Sequence, residues 1–186
     1  PNHFALNISP QDVEPIRALF AAREIKSQPL YPMIQGRVTA IDGEATKVRE
    51  SRQRNWDEKR DGERGPNASS SRNLTQTATL PDDNRVQSGA WWPADYSGPA
   101  LVSIEESMAS RNDIVVGDEL VLDIQGRSLT ATVASIRGVA WDNMQPNFYL
   151  ILSPGALDDF PSTYMTSFTL HRDNKLFLNE LLRQFP

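Results

Sequence analysis

Cysteine is absent from this sequence of 186 residues, and histidine occurs only twice. The chain therefore holds no disulfide, no thiol nucleophile and no cysteine-based metal site. Absence of cysteine is compatible with the periplasm without establishing it. Basic side chains are also in the minority, since 19 of them face 24 acidic ones and leave a net charge of −5. This balance disfavours a nucleic acid as partner, because phosphates demand a basic face.

Long hydrophobic runs are missing too. No apolar stretch approaches the roughly 18 residues of a membrane span. The sequence starts without methionine and stops just after a helical pattern, at Gln184–Pro186. We therefore expect a piece of a longer protein, for which missing membrane segments say little about the parent.

Catalytic motifs are equally scarce. The sequence has no Gly-x-Ser-x-Gly elbow, no glycine-rich phosphate loop after a strand and no His-x-x-x-His spacing. His3 and His171 lack a motif partner and are expected at the surface. Neighbouring acids such as Asp118 and Glu119 point in different directions and do not form an acid/base pair. We expect a chain that is not an enzyme and has no cofactor or metal; a hydrolase using Ser103 or His171 is the weakest alternative.

The two ends of the chain carry alternating strand and helix patterns. The expected elements are strand Phe4 to Ile8, a helix that Ser9 caps and Pro10 begins, strand Tyr31 to Ile41, strand 148–152, strand Tyr164 to Leu170, and helix Asn174 to Gln184. These predict an α+β fold whose body is a ferredoxin-type sandwich of four strands with helices on one face, built from 1–46 plus 147–186.

The middle of the chain, 72–146, is predicted as an inserted lobe rich in β-strands. Ser103 to Glu106 resembles a capping box that opens one short helix, and Gln125 to Arg127 a hairpin loop. Val139 to Leu152 then runs from a polar segment into an apolar one. We interpret it as the seam where the chain leaves the lobe and returns to a central body strand buried on both faces.

Residues 47–71 are predicted to be a mobile loop. Charged side chains fill 12 of the 18 positions between 47 and 64. Such a segment cannot offset its ordering entropy by burial, although it could also dock a partner or lipid headgroups.

Four aromatic residues are the candidate contacts for a partner or ligand: Trp91, Trp92, Tyr96 and Trp141. Adjacent tryptophans in a strand face opposite sides, so one of the pair could be exposed, and exposed tryptophan is enriched at recognition sites. The alternative is that both tryptophans cover the small core of the lobe, and that Trp141 packs across the seam.

The run "SIEESMASRNDIVVGDELVLDIQGRSLTATVASIRGVAWDNMQPNFYLIL" resembles FtsX/MacB-type ABC-transporter permeases. In that superfamily a Glu-containing helix, a Val-Gly-Asp turn, a β-hairpin and a Val-x-Trp-x-x-x-x-Pro-Asn-Phe run follow one another. The resemblance is strongest to the second periplasmic domain of the YbbP-type predicted permeases. It covers nearly the whole chain, including "YPMIQGRVTAIDG" and "DDNRVQSGAWW".

The resemblance implies a porter-like body with an inserted small, Sabre-like β-rich subdomain, in the periplasmic part of a bacterial inner-membrane protein. It implies a non-catalytic role, in which the domain transmits the ATP-driven motion of membrane helices to a periplasmic partner or a lipophilic cargo. The implied partners are a cytoplasmic ATP-binding subunit, the first periplasmic domain of the same chain and a periplasmic acyl-ester hydrolase. A periplasmic module that binds a lipophilic ligand or a peptide is the alternative function.

Overall fold

The structure is a computed structural model that describes residues 2–46, 65–141, 146–171 and 175–186. The chain forms two compact units. The terminal unit consists of Pro1–Met33, Trp141–Pro146 and Ser162–Pro186. The barrel unit consists of Ile34–Ala140 and Asn147–Pro161.

Strands outnumber helices in the described chain. The strands are β1 (His3–Ile8), β2 (Lys26–Ser27), β3 (Tyr31–Ile41), β4 (Glu44–Ala45), β5 (Arg72–Gln76), β6 (Asn84–Gly89), β7 (Leu101–Glu105), β8 (Glu119–Ile124), β9 (Arg127–Val139), β10 (Leu150–Leu152) and β11 (Thr163–Thr169). The helices are α1 (Val13–Ala22), α2 (Glu106–Arg111) and α3 (Lys175–Gln184), and a 3-10 turn at Pro10–Asp12 precedes α1.

The terminal unit is a small antiparallel sheet with helices packed on it. Strand β11 pairs with β1 on one edge, and with β2 and the first residues of β3 on the other. Phe168 of β11 is the centre of the core, with ring centroids 5.2 Å from Phe20 of α1 and 6.0 Å from Phe177 of α3. The side chain of Ser9 makes no capping hydrogen bond, contrary to prediction, and α1 begins only after the 3-10 turn.

The barrel unit contains a closed six-stranded sheet. Strand β3 pairs with β5, β5 with β10, β10 with β7, β7 with β9, β9 with β8, and β8 with β3 again. The β5–β10 and β7–β9 pairs are parallel, and the other four are antiparallel. Closure leaves none of these six strands with a free edge, and apolar side chains fill the interior as in other small barrels.

The β8–β9 hairpin follows the predicted alternation. Leu120, Leu122 and Ile124 are fully buried, while the residues between them are partly exposed. Gln125 and Gly126 form the loop, both with positive φ (53° and 82°), as a two-residue hairpin turn requires.

The mixed α and β class is confirmed, but the predicted four-stranded porter-like sandwich is not. Leu150–Leu152 was expected to lie centrally in the terminal body, and β10 instead pairs with β5 and β7 of the barrel. The strand is buried on both faces, as its unbroken apolar run predicts. An apolar run shows that a strand is covered, but it does not identify the neighbouring strands.

Two further expectations are corrected. Ser103 does not cap α2, because it lies in β7; the carboxylate of Glu105 is the cap and accepts hydrogen bonds from the backbone N–H groups of Ser107 (2.9 Å) and Met108 (3.0 Å). Residues 65–69 of the predicted mobile loop are buried or half-buried, whereas Ser70 and Ser71 are exposed. Ala68 is fully buried, and its carbonyl accepts a hydrogen bond from the N–H of Val38 at 3.0 Å. The rest of that loop, 47–64, lies outside the described residues.

Candidate functional site

The loop between β6 and β7, residues 90–100, carries three of the four predicted aromatic contacts. It begins where β6 leaves the edge of β9, and the N–H of Ala90 donates to the carbonyl of Ala134 at 3.1 Å. Gly89 immediately before it has φ of +73°, and a Cβ there would lie 2.1 Å from that same carbonyl oxygen. Only glycine fits this exit point, so the backbone fixes the direction of the loop.

Trp91 and Trp92 anchor the loop to the end of β5. Their indole N–H groups donate to two successive carbonyls, those of Ala78 and Thr77, each at 2.9 Å. The two rings lie against each other, with centroids 4.2 Å apart. Trp92 is only 4% exposed, whereas Trp91 is half-buried. Trp92 is thus a packed residue, and of the two tryptophans only Trp91 presents part of its ring to solvent.

Tyr96 forms one wall of a groove. Its hydroxyl donates to the carbonyl of Pro99 at 2.6 Å, and its N–H to the carbonyl of Pro93 at 3.0 Å, so a tight turn holds the ring in place. The groove has a volume of about 400 Å³ and lies between residues 96–100 and 154–156. Apart from the tyrosine, its walls carry only small side chains and a proline.

The two walls of the groove are joined by hydrogen bonds. The N–H of Ser153 donates to the carbonyl of Leu101, and the N–H of Leu101 donates to the hydroxyl of Ser153, both at 2.9 Å. Each wall thus continues into a barrel strand, β7 or β10, and the groove is built on a rigid base.

Val115 and Val116 were not predicted as surface contacts, yet they are 59% and 40% exposed. They form the turn before β8. The N–H of Gly117 donates to the carbonyl of Val133 at 2.8 Å, on the residue of β9 next to the one that holds Ala90. The valine turn and the aromatic loop therefore begin side by side. The sequence signal that could have predicted this exposure is a pair of β-branched apolar residues outside a strand, directly before the Gly-Asp turn.

Trp141, the fourth predicted contact, belongs to the terminal unit and is 45% exposed. The structure therefore brings together Trp91, Trp92 and Tyr96 on one loop and does not assign Trp141 to that group.

Acidic side chains outnumber basic ones in the segments that form the loop and the groove. Segments 88–110 and 146–161 contain five acidic side chains and no lysine or arginine. Among the acids, Asp95 is exposed beside Tyr96. Asp158 follows the other groove wall; its Oδ1 accepts from Gln76 at 2.8 Å, and its Oδ2 lies near Gly155. Arg127 contacts the chain just after the second wall, because it donates to the carbonyl of Asp159 and lies over the ring of Phe160.

Arg137 is a buried charged residue of β9, where it pairs with Glu105 of β7. Its side chain is fully buried and Nη2 donates to the carbonyl of Phe148. Burial lowers the pKa of Arg137 to about 9, because desolvation penalises the charged form, and the carboxylates of Glu105 and Asp83 oppose this shift. We interpret the residue as a structural link between β9 and the segment that enters β10.

The described residues provide little for catalysis. Ser103 is fully buried and accepts a 2.7 Å hydrogen bond from Ser135, so its hydroxyl is closed to a substrate. The ring of His3 stacks on Phe168 with centroids 5.3 Å apart. Over the described ranges, no group of three histidine, aspartate or glutamate side chains could hold a metal ion. The same ranges contain no helix that is both long and apolar enough to cross a membrane.

Comparison with known proteins gives one informative match. No family model and no solved structure matches the chain. The sequence is 35% identical, over 187 aligned positions, to the uncharacterized ABC transporter permease YbbP of Escherichia coli strain K12. The alignment takes in the whole of this chain but only 21% of that relative, so the chain spans about a fifth of its length. The predicted resemblance is thereby confirmed: this chain is similar, along its entire length, to one segment of the YbbP permease.

Proposed function

We propose that the chain is a periplasmic domain of an ABC transporter permease that transmits the ATP-driven motion of the membrane helices to a periplasmic partner or a lipophilic cargo. The observation that carries this proposal is the full-length alignment with one segment of a permease. Two compact units with their own apolar cores support it, because such units are suited to lie outside a bilayer.

A mechanical role fits the barrel. Each of the six barrel strands is hydrogen-bonded to a neighbour on both sides, so none can slide without breaking two ladders. A body of this kind moves as a rigid element when the chain at its ends is displaced. The burial of Ser103 supports a role without catalysis. The partners that we propose are a cytoplasmic ATP-binding subunit, the first periplasmic domain of the same chain and a periplasmic acyl-ester hydrolase.

The side of the membrane is tested by labelling. The segment has no cysteine, so Ser128→Cys, at an exposed position of β9, adds a single reporter to it. In intact cells producing the full-length permease, with any other cysteines replaced, a membrane-impermeant maleimide should label this residue. Labelling that occurs only after the cells are broken would refute a periplasmic location. A cysteine on the ATP-binding subunit serves as the control that must stay unlabelled.

The transmission of motion is tested by distance measurement. Spin labels at Ala18→Cys, on the exposed face of α1, and at Ser128→Cys report on the terminal unit and the barrel unit respectively. In the full transporter in nanodiscs, we expect the distance distribution to change when a non-hydrolysable ATP analogue binds. A label pair within the barrel, at Ser128 and Ser88, should not change. Unchanged distributions for both pairs would contradict the proposal.

The second candidate function is a periplasmic module that binds a lipophilic ligand or a peptide, and the groove beside Tyr96 favours it. Native mass spectrometry of the purified protein after mild extraction distinguishes the two. A reproducible mass increment that matches a lipid would support the binding module, and an unliganded mass would favour transmission of motion.

A further inference from the structure

The groove between residues 96–100 and 154–156 has the size of a binding site for part of a peptide. Its volume of about 400 Å³ falls within the range of small-ligand pockets. Ser97, Gly98, Ala100, Gly155 and Ala156 leave its walls without bulky side chains. A groove with such small wall residues accommodates an extended, unbranched group more easily than a ring system.

Tyr96 is set in place before any partner arrives. Its hydroxyl is bonded to the carbonyl of Pro99, and Gly98 approaches so closely that a Cβ there would lie 2.7 Å from the hydroxyl oxygen. Movement of the ring into the groove or away from it would therefore break the hydrogen bond to Pro99. A fixed aromatic face is a favourable contact for a cation, because the ring quadrupole attracts positive charge.

The charge around the groove selects the sign of its occupant. Asp95 adjoins Tyr96 on one wall, and an ideal Cβ on Gly155 would lie 3.8 Å from the carboxylate of Asp158 on the other. The chain segments that form both walls contain no basic residue, and Arg127, which contacts the chain just after the second wall, is placed over the ring of Phe160. Asp95 and Asp158 therefore favour a lysine or arginine side chain over an anionic headgroup or an acidic peptide.

From these observations we propose that the groove receives an extended basic segment of a partner protein. An aliphatic lysine or arginine stem would lie over the small residues, with its cation near Tyr96, Asp95 and Asp158. The half-buried ring of Trp91, on the same loop as Tyr96, would contact an apolar residue flanking that segment. This proposal rests on the proposed function only in taking the partner to be a periplasmic protein.

The experiment uses the full-length permease with its ATP-binding subunit in nanodiscs. The probe is the fluorescent peptide Gly-Lys-Ala-Arg-Ala-Gly, compared with a peptide in which glutamine replaces both basic residues. We expect fluorescence anisotropy to show saturable binding of the basic peptide, at least about tenfold tighter than that of the neutral one, and weakening at high salt. Equal affinities, or a dissociation constant weaker than about 1 mM, would overturn the proposal.

Two variants with matched controls locate the binding. Asp95→Lys should weaken binding about tenfold, whereas Glu44→Lys, an equal charge change at an exposed site on β4, should change it less than about twofold. Ser97→Trp should fill the groove and abolish binding, whereas Ser128→Trp should not. If the control variants weaken binding as much as the groove variants, the proposal is wrong.

The same experiments distinguish a basic segment from a lipophilic ligand as the occupant of the groove. The binding of a fluorescent fatty acid is measured on the same proteins. If Ser97→Trp abolishes the binding of the fatty acid and leaves the binding of the basic peptide unchanged, the groove belongs to a lipophilic cargo and the proposal is refuted. Circular dichroism of Ser97→Trp identifies misfolding, in which case Asp95→Lys, in an exposed turn, decides alone. Peptide binding is read independently of the maleimide labelling, so failure of the periplasmic location and failure of the groove proposal are distinguishable.

Discussion

The indole N–H of Trp92 donates a 2.9 Å hydrogen bond to the carbonyl of Thr77, directly after β5. Thr77 in turn donates its N–H to the carbonyl of Leu152 at the end of β10. One buried indole thus connects the aromatic loop to two barrel strands that are distant in the sequence. The position of Tyr96 and of the groove beside it depends on this connection.

Replacing Trp92 should therefore destabilise the protein more than replacing Trp91. Trp92→Phe removes the donor to Thr77 and leaves that carbonyl unsatisfied, at a cost of about 1–3 kcal/mol in the free energy of unfolding. Trp91→Phe should cost less, because its ring is half-buried and water can replace its bond to Ala78. Urea unfolding of the 186-residue chain measures both, and equal losses would show that Trp92 is not the main anchor.

The buried hydroxyl pair of Ser103 and Ser135 should behave as one unit. The two oxygens are 2.7 Å apart and both residues are fully buried. Ser103→Ala or Ser135→Ala alone leaves one hydroxyl without its partner and should cost about 1–3 kcal/mol. The double variant should cost clearly less than the sum. A double-mutant cycle in urea gives the coupling, and strict additivity would contradict it.

Arg137→Leu should destabilise the barrel at neutral pH. The substitution removes the hydrogen bond from Arg137 to the carbonyl of Phe148, which costs about 1–3 kcal/mol, although the desolvation cost of the buried charge disappears and offsets part of this. Urea unfolding at pH 7 measures the net effect. A variant more stable than the wild type would mean that the desolvation penalty dominates.

The difference in stability between the wild type and Arg137→Leu should depend on pH. The pKa of Arg137 is lowered to about 9 in the folded protein, so above that pH the unfolded chain binds the proton that the folded chain has lost. The stability of the wild type relative to Arg137→Leu should therefore rise with pH from about 9 upward. Unfolding at pH 8 and pH 10.5 compares the two proteins, since other titrating groups are common to both. A falling difference would contradict the assigned burial.

Arg23 and Glu180 join the end of α1 to α3 through two hydrogen bonds, of 3.0 and 2.6 Å. The hydrogen bond with Arg23 lowers the pKa of Glu180, so the stabilisation is present above the pKa of the unfolded carboxyl and is lost as the pH falls through the folded one. Glu180→Gln should lower the melting temperature slightly at pH 7, and by less at pH 3 or in about 1 M salt, where exposed pairs are screened. An equal loss at both pH values would indicate a packing effect.

Several local features could be predicted because each depends on residues close together in sequence. The alternation of Leu120, Leu122 and Ile124 determines which face of β8 is buried, and Gln125-Gly126 supplies the backbone freedom for the hairpin. The cap of α2 was not decided locally. Ser103 was predicted as the cap, but it is drawn into β7 and bonded to Ser135, and Glu105 takes the role instead.

The sequence by itself determined several of the strands and helices, the burial of Leu150–Leu152 and the similarity to a permease segment, since these depend on local pattern and composition. Only the tertiary structure decided that the strands close into a barrel, because the parallel β5–β10 and β7–β9 pairs join segments that are distant along the chain and have no turn between them. It also decided which aromatic residues share a surface. Trp92 is buried and bonded to Thr77, and the groove beside Tyr96 exists because β7 and β10 are neighbours.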